Sequence, residues 1–237
     1  MRIKPSINWL FFFMPVTLAL EHTAVPAPYV FFSAALAIVP IASLIVHATE
    51  QIATRTGDAI GGLLNATFGN APELIIAFVA LKAGLLDMVR ASLIGAILAN
   101  ILLALGVAFF LGGLRYRDQD YNPSAARVYS SMMLIAVISL AVPSAFSRFF
   151  SSTETIRQES LLNIGLAVVL LIAYVLYLVF MLKTHPGAFA ANGSHVEEKS
   201  EATHWSLPRA VGSLVGASVL AAWMSEILVG AAEGTGT

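Results

Sequence analysis

Asn70, Pro72 and Glu73 lie in the middle of GGLLNATFGNAPELIIAFVA, Gly61 to Ala80, an apolar run long enough to cross a bilayer. An ionisable side chain beside a helix breaker at that depth is costly, and points by default to function. Proline donates no backbone N–H and crowds the carbonyl four residues back, so Pro72 is expected to free the carbonyl of Phe68 and loosen the turn around Gly69. Non-helical backbone at membrane depth persists only where it is buried in protein or lines a cavity. The carbonyls of Phe68 and Gly69, the Asn70 amide oxygen and the Glu73 carboxylate are then the oxygen-rich set that a hard cation such as calcium takes. The competing reading is a proline-kinked packing helix whose Glu73 pairs with a charge elsewhere in the chain. A carboxylic acid out of water resists ionisation, whereas a bound divalent cation favours it. Protons and calcium would compete for such a group.

Other polar residues are open to two readings each. Glu50 and Glu226 are either carboxylates on the ion path or ordinary helix-end charges. Asn100, inside LANILLALG, either completes a coordination shell or hydrogen-bonds between helices. His47 offers pH sensitivity near neutrality, or an interfacial ring at a helix end. In the long polar stretch His185 to Trp205, Glu197, Glu198 and Glu201 put three carboxylates on neighbouring helical turns. These form either a cytoplasmic collector of cations or a solvated connection. His185, His195 and His204 are too far apart for a metal motif.

The elements that position these residues are membrane helices. Hydrophobic residues make up 58% of the 237 and charged residues 11%, against about 25% charged in a soluble domain. The mean hydropathy is +0.81. Spans of about 20 apolar residues are expected near Ile7–Leu20, Tyr29–Thr49, Ala59–Leu81, Val89–Leu114, Val128–Ser147, Leu161–Leu182 and Leu207–Ala232. The first is short and follows Arg2 and Lys4, so a signal peptide ending near Ala24 competes with a retained helix. With all seven crossing, one face holds nine basic residues (Arg2, Lys4, Arg55, Arg115, Arg117, Arg127, Lys183, Lys199, Arg209) and the other four (Lys82, Arg90, Arg148, Arg157). The positive-inside rule then puts the amino terminus and the acidic stretch in the cytoplasm. A net charge of -1 argues against a nucleic-acid partner. The absence of cysteine removes disulfides and thiol chemistry. No nucleophile triad or phosphate loop stands at family spacing, which makes an enzyme a poor reading.

GGLLNATFGNAPELI (Gly61 to Ile75) closely resembles the first signature repeat of the calcium/cation–proton exchanger family, within the cation/calcium exchanger superfamily. HATEQIATRTGDAIGG (His47 to Gly62) resembles the lead-in to that repeat, and SLIGAILANILLALGVAFFLGGL (Ser92 to Leu114) its next helix. The acidic linker and WMSEILVGAAE (Trp223 to Glu233) fit in order and spacing. The resemblance implies an all-α integral membrane protein: an N-terminal helix, then two five-helix repeats of opposite orientation joined by a cytoplasmic acidic linker. Applied here it gives an N-terminal helix over 1–24, the first repeat over 25–184 with a broken signature helix, the linker over 185–206, and the first helix of the second repeat over 207–237. It implies exchange of calcium for protons at the midplane, with no cofactor besides the transported ion. Glu73 would be the ligand and proton-exchanging carboxylate, supported by Asn70 and the backbone at Phe68 and Gly69. Glu50 and Glu226 resemble the family's gates.

Thr49-Glu50 has an echo in Ser225-Glu226, and Glu73 follows Glu50 by 23 residues. A partner glutamate is therefore expected about as far beyond Glu226, past Thr237. One carboxylate, one amide and a few carbonyls supply about half of the 6–8 oxygens calcium takes. The expectation is a truncated calcium/proton antiporter of a bacterial plasma membrane with half an ion site; a half-size protein completed by a partner that carries the second signature, and a homodimer assembled in opposite orientations, which the one-sided basic charge disfavours, are the competing explanations. The alternative is a half-length membrane protein that senses cations or scaffolds a partner without transporting.

Overall fold

Long apolar helices account for most of the chain, and the break expected at Asn70–Pro72 interrupts one of them. A computed structural model describes residues 6–56, 58–149, 156–185 and 205–235, and among them the structure is helical throughout. A 3-10 segment, Ile7–Phe12, runs into α1 (Phe13–Glu21). The following helices are α2 (Ala27–Thr56), α3 (Asp58–Phe68), α4 (Ala71–Lys82) and α5 (Leu86–Leu98). A π-helical turn, Ala99–Ala104, joins α5 to α6 (Leu105–Arg115). Next come α7 (Pro123–Phe149) and α8 (Ile156–Val179), the latter ending in a second π turn, Phe180–Thr184. The last is α9 (Leu207–Thr235). Five stretches are long and apolar enough to cross a membrane: Ala27–Thr56, Leu86–Arg115, Pro123–Phe146, Ser160–Thr184 and Leu207–Ala232. The broken pair α3–α4 and the short Ile7–Glu21 helix complete the seven expected segments.

The chain divides into two units, Met1–Arg117 with Thr203–Thr237, and Asp118–Ala202. The first has its core between α2 and α9. Within their central windows 44% of each helix is buried, against none of α5–α6, so these two helices form the core and α5–α6 presents its sides outward. Ala34, Ala37, Ile41, Ile45 and Ala48 of α2 are buried, as are Ala210, Leu214, Ala217, Ala221, Met224 and Leu228 of α9. Steps of three and four put each set on one stripe of its helix. Lipid is as apolar as leucine, so helices in a bilayer associate by close packing, and alanines in the seam let the backbones approach. The helices are antiparallel. Trp205, just before α9, bonds to Gln51 near the end of α2. At the other end a Cβ on Gly234 would meet that of Ala27 at 3.0 Å. The helix over Ile7–Glu21, whichever way its basic flank is read, packs Phe11, Phe13, Met14 and Leu18 onto this core.

α4 ends in a Schellman arrangement. The Gly84 N–H donates to Leu81 O at 3.0 Å and the Leu85 N–H to Ala80 O at 2.9 Å. Gly84 has φ +82°, where a side chain is strained. In the second unit, Asn122 caps α7 by accepting the N–H groups of Ser124 and Ala125 at 3.0 and 3.1 Å. Pro123 occupies the first helical position, where no N–H is needed. Tyr177 of α8 meets Tyr129 of α7 with ring centroids 6.4 Å apart.

Candidate functional site

Of the sequence-predicted residues, Phe68, Gly69, Asn70, Pro72 and Glu73 fall together at the junction of α3 and α4. α3 stops at Phe68, Gly69 and Asn70 form the turn, and Asn70 occupies the N-cap position of α4 with φ -108° and ψ 14°. Pro72 is buried in the first turn of α4, and the Leu74 N–H donates to the Asn70 carbonyl at 3.1 Å. The proline thus starts a new helix, the position at which its missing N–H costs least. Two half-helices therefore end at one place with opposite polarity. The carboxyl end of α3 presents carbonyl oxygens, and the amino end of α4 carries partial positive charge beside the Glu73 carboxyl group. Glu73 itself is exposed in the described chain. Thr67, one turn earlier, donates its hydroxyl to Leu63 O at 2.8 Å, its own helix, and so does not cap the break.

The remaining candidates stand elsewhere. His47 and Glu50 lie near the end of α2, Nδ1 to Oε2 3.8 Å, His47 half-buried and Glu50 exposed. An exposed pair of this kind contributes little to stability. Glu226 is exposed on α9 and lines two grooves. One, about 590 Å³, runs along Leu74, Phe78 and Lys82 of α4. The other, about 260 Å³, includes Glu21 and Thr23. Asn100 is exposed within the π turn between α5 and α6. Such turns are frequent at functional positions. No hydrogen bond joins Asn100 to Glu73 among the described residues. Glu197, Glu198 and Glu201 lie outside the described residues. Among the described residues no three His, Asp or Glu side chains cluster as metal ligands.

One cluster escaped sequence reasoning. Trp205 donates its N–H to Gln51 Oε1 at 3.0 Å and accepts from Arg55 Nη2 at its carbonyl. Its ring meets His47 edge-on at 4.9 Å, and the Arg209 guanidinium lies 4.7 Å over it. A polar stripe at His47, Gln51 and Arg55 of α2 was the available signal; its partner, 150 or more residues away, was not.

The profile of the family described as sodium/calcium exchanger protein matches residues 26–183, including the whole of α2 to α6 and the broken helix. The chain belongs to the sodium/calcium exchanger protein family. Family relatives include the Ca(2+)/H(+) antiporter of Synechocystis sp., 41% identical over 94% of this chain and 63% of the relative. Another is the Ca(2+)/H(+) antiporter ChaA of Bacillus subtilis, 39% identical over 86% of this chain and 57% of the relative. Vacuolar cation/proton exchanger 3 of Oryza sativa subsp. japonica is 38% identical over 97% and 57%. Among solved structures, native YfkE superposes with TM-score 0.71 at 32% identity, over 95% of this chain and 61% of that one. The chain therefore spans about three fifths of the length of these exchanger relatives.

Proposed function

We propose that this chain carries one half of a calcium/proton antiport site, with Glu73 as the carboxylate that alternately binds calcium and a proton. The observation that carries the reading is the break itself: two half-helices meeting at Phe68–Ala71 with a lone carboxylate in the first turn beyond it. Broken helices whose ends face an ion are the usual construction of secondary transporters. Relatives that match along most of this chain are named Ca(2+)/H(+) antiporters, which supports calcium as the ion and antiport as the reaction.

Calcium takes 6–8 oxygen ligands, more than Glu73, Asn70 and the carbonyls of Phe68 and Gly69 supply. The others come from a segment with a matching acidic signature outside these 237 residues. Exposure of Glu73 on the described chain agrees with a site that is closed by such a partner. The cycle then needs one carboxylate only. Bound calcium leaves when Glu73 is protonated on one side, and the proton leaves when calcium rebinds on the other; the empty, ionised form is too costly at membrane depth to reorient. Glu50 and Glu226 stand on the approaches, and the amino terminus and the segment with Glu197, Glu198 and Glu201 face the cytoplasm of a bacterial plasma membrane.

The test is calcium-driven proton release from vesicles holding this chain together with a segment bearing the second signature. Glu73→Gln keeps the shape of the side chain and removes its charge and proton. Release is expected to fall to background in that variant while the protein stays folded. Release at the parental rate would sink the assignment.

A further inference from the structure

The seam between α2 and α9 is nearly free of directional bonds. Its buried hydroxyls turn back on their own helices: Ser33 donates to Val30 O at 2.9 Å, Thr49 to Ile45 O at 2.8 Å, and Ser225 to Ala221 O at 2.7 Å. Half-buried Ser218 does the same, to Leu214 O at 2.8 Å. What faces across is alanine, isoleucine, leucine and methionine. A seam of small apolar residues holds two helices close but resists sliding only through shallow relief.

Among the described residues, the hydrogen bonds that tie α2 to the chain entering α9 converge on Trp205. Both of its main-chain polar groups are held by α2, the N–H by buried Gln51 and the carbonyl by Arg55. Its ring is gripped between the edge of His47 and the guanidinium of Arg209. His47, Gln51 and Arg55 follow one another at intervals of four, so they form a single stripe on α2. Arg209 stands four residues after Trp205 on the start of α9. One stripe of α2 is thus committed to one residue at one end of a seam that is otherwise smooth.

We propose that Trp205 is a positioning residue that fixes the register of α9 along α2. Through that register it sets the relative depth of Thr49-Glu50 and Ser225-Glu226, which occupy like positions on the two antiparallel helices. The consequence for ion access rests on the antiport reading given above; the register itself does not depend on which ion is carried. A helix of this length is about 43 Å long at 1.5 Å per residue, and moves as a rod. A fastening at the Trp205 end must therefore be felt at the Gly234 end.

The chain has no cysteine, so engineered pairs can report the register without background. Ala27→Cys with Gly234→Cys reports the native register, since a Cβ on Gly234 would stand 3.0 Å from that of Ala27, and a separation of under about 1 Å between the two ends brings the pair to the roughly 3.5–4.5 Å a disulfide spans. Ala27→Cys with Ala231→Cys, one turn back on the same face, reports a slipped register. The reading is the ratio of the two oxidation rates in the full chain in vesicles without calcium. Gln51→Met keeps the length of the side chain and removes the acceptor; it is expected to lower the ratio about three-fold, the effect of one interhelical hydrogen bond in a membrane. Trp205→Ala is expected to lower it as well. Gln51→Glu, which keeps an acceptor oxygen, is expected to restore the parental ratio. A Trp205 that only shaped its own surroundings would leave this ratio alone, because the reporters lie at the far end of both helices. An unchanged ratio in both Gln51→Met and Trp205→Ala overturns the proposal, as does a ratio in Gln51→Glu as low as in Gln51→Met. Since calcium is absent from the measurement, failure of transport and failure of the register are read separately.

Discussion

Glu73 and Gly84 stand at opposite ends of α4, each placed by the backbone. Glu73 occupies the first turn of α4, one residue after Pro72, so its position follows from where the proline restarts the helix. Gly84 closes the same helix with φ +82°, and no heavy atom lies within 4 Å of where its Cβ would be. Space is therefore not what excludes a side chain there; the backbone conformation is. Gly84→Ala is expected to destabilise the protein by about 1 kcal/mol, measured as a lowered unfolding temperature in detergent, with Gly84→Asn less affected because asparagine tolerates that conformation better. An alanine variant as stable as the parent would show that the turn relaxes to another form.

The broken helix is the element on which the proposed antiport turns. Pro72 lies in the first helical turn of α4, where proline fits, but it also keeps α3 and α4 from merging into one continuous rod. Pro72→Ala restores an N–H that can bond back to Phe68. The expected result is slower amide hydrogen exchange across residues 69–73, unfolding temperature unchanged or raised, and, where the proposed antiport is reconstituted with the second-signature segment, a loss of its Glu73-dependent calcium flux, because the carbonyls that would face the cation are taken up within the helix. Full transport with slowed exchange would separate the break from the site. The π turn at Ala99–Ala104 is a second irregularity, and it carries Asn100 on a helix with few partners in the described chain. The Trp205 fastening joins α2 to α9 in turn, so the two long helices that carry Glu50 and Glu226 act as one pair.

At the scale of the molecule, the packing gives the core, and the charge distribution supports the proposed orientation. The turn between α4 and α5 and the segment before α7 should lie on opposite sides of the membrane. With Ala83→Cys and Asp118→Cys made singly in the cysteine-free chain, an impermeant maleimide added to intact cells is expected to label Ala83→Cys and to spare Asp118→Cys until the membrane is opened. The reverse pattern would invert the proposed orientation. The sequence by itself determined the helical membrane class, the approximate position of all seven segments, and the break at Asn70–Pro72. These depend on local physics: apolar length, a missing N–H and the cost of a buried charge. It also carried the family, through the signature stretch and the segments that flank it in order and spacing. Only the tertiary structure decided that α2 and α9 form the core seam, that their hydroxyls stay on their own helices, and that Gln51 and Arg55 are committed to Trp205. Those are contacts between residues some 150 positions apart, where periodicity names a face but cannot name its partner. The same limit left Glu226 open in the sequence between a carboxylate on the ion path and a helix-end charge; in the fold it lines the groove along α4, a placement set by which helix packs against which.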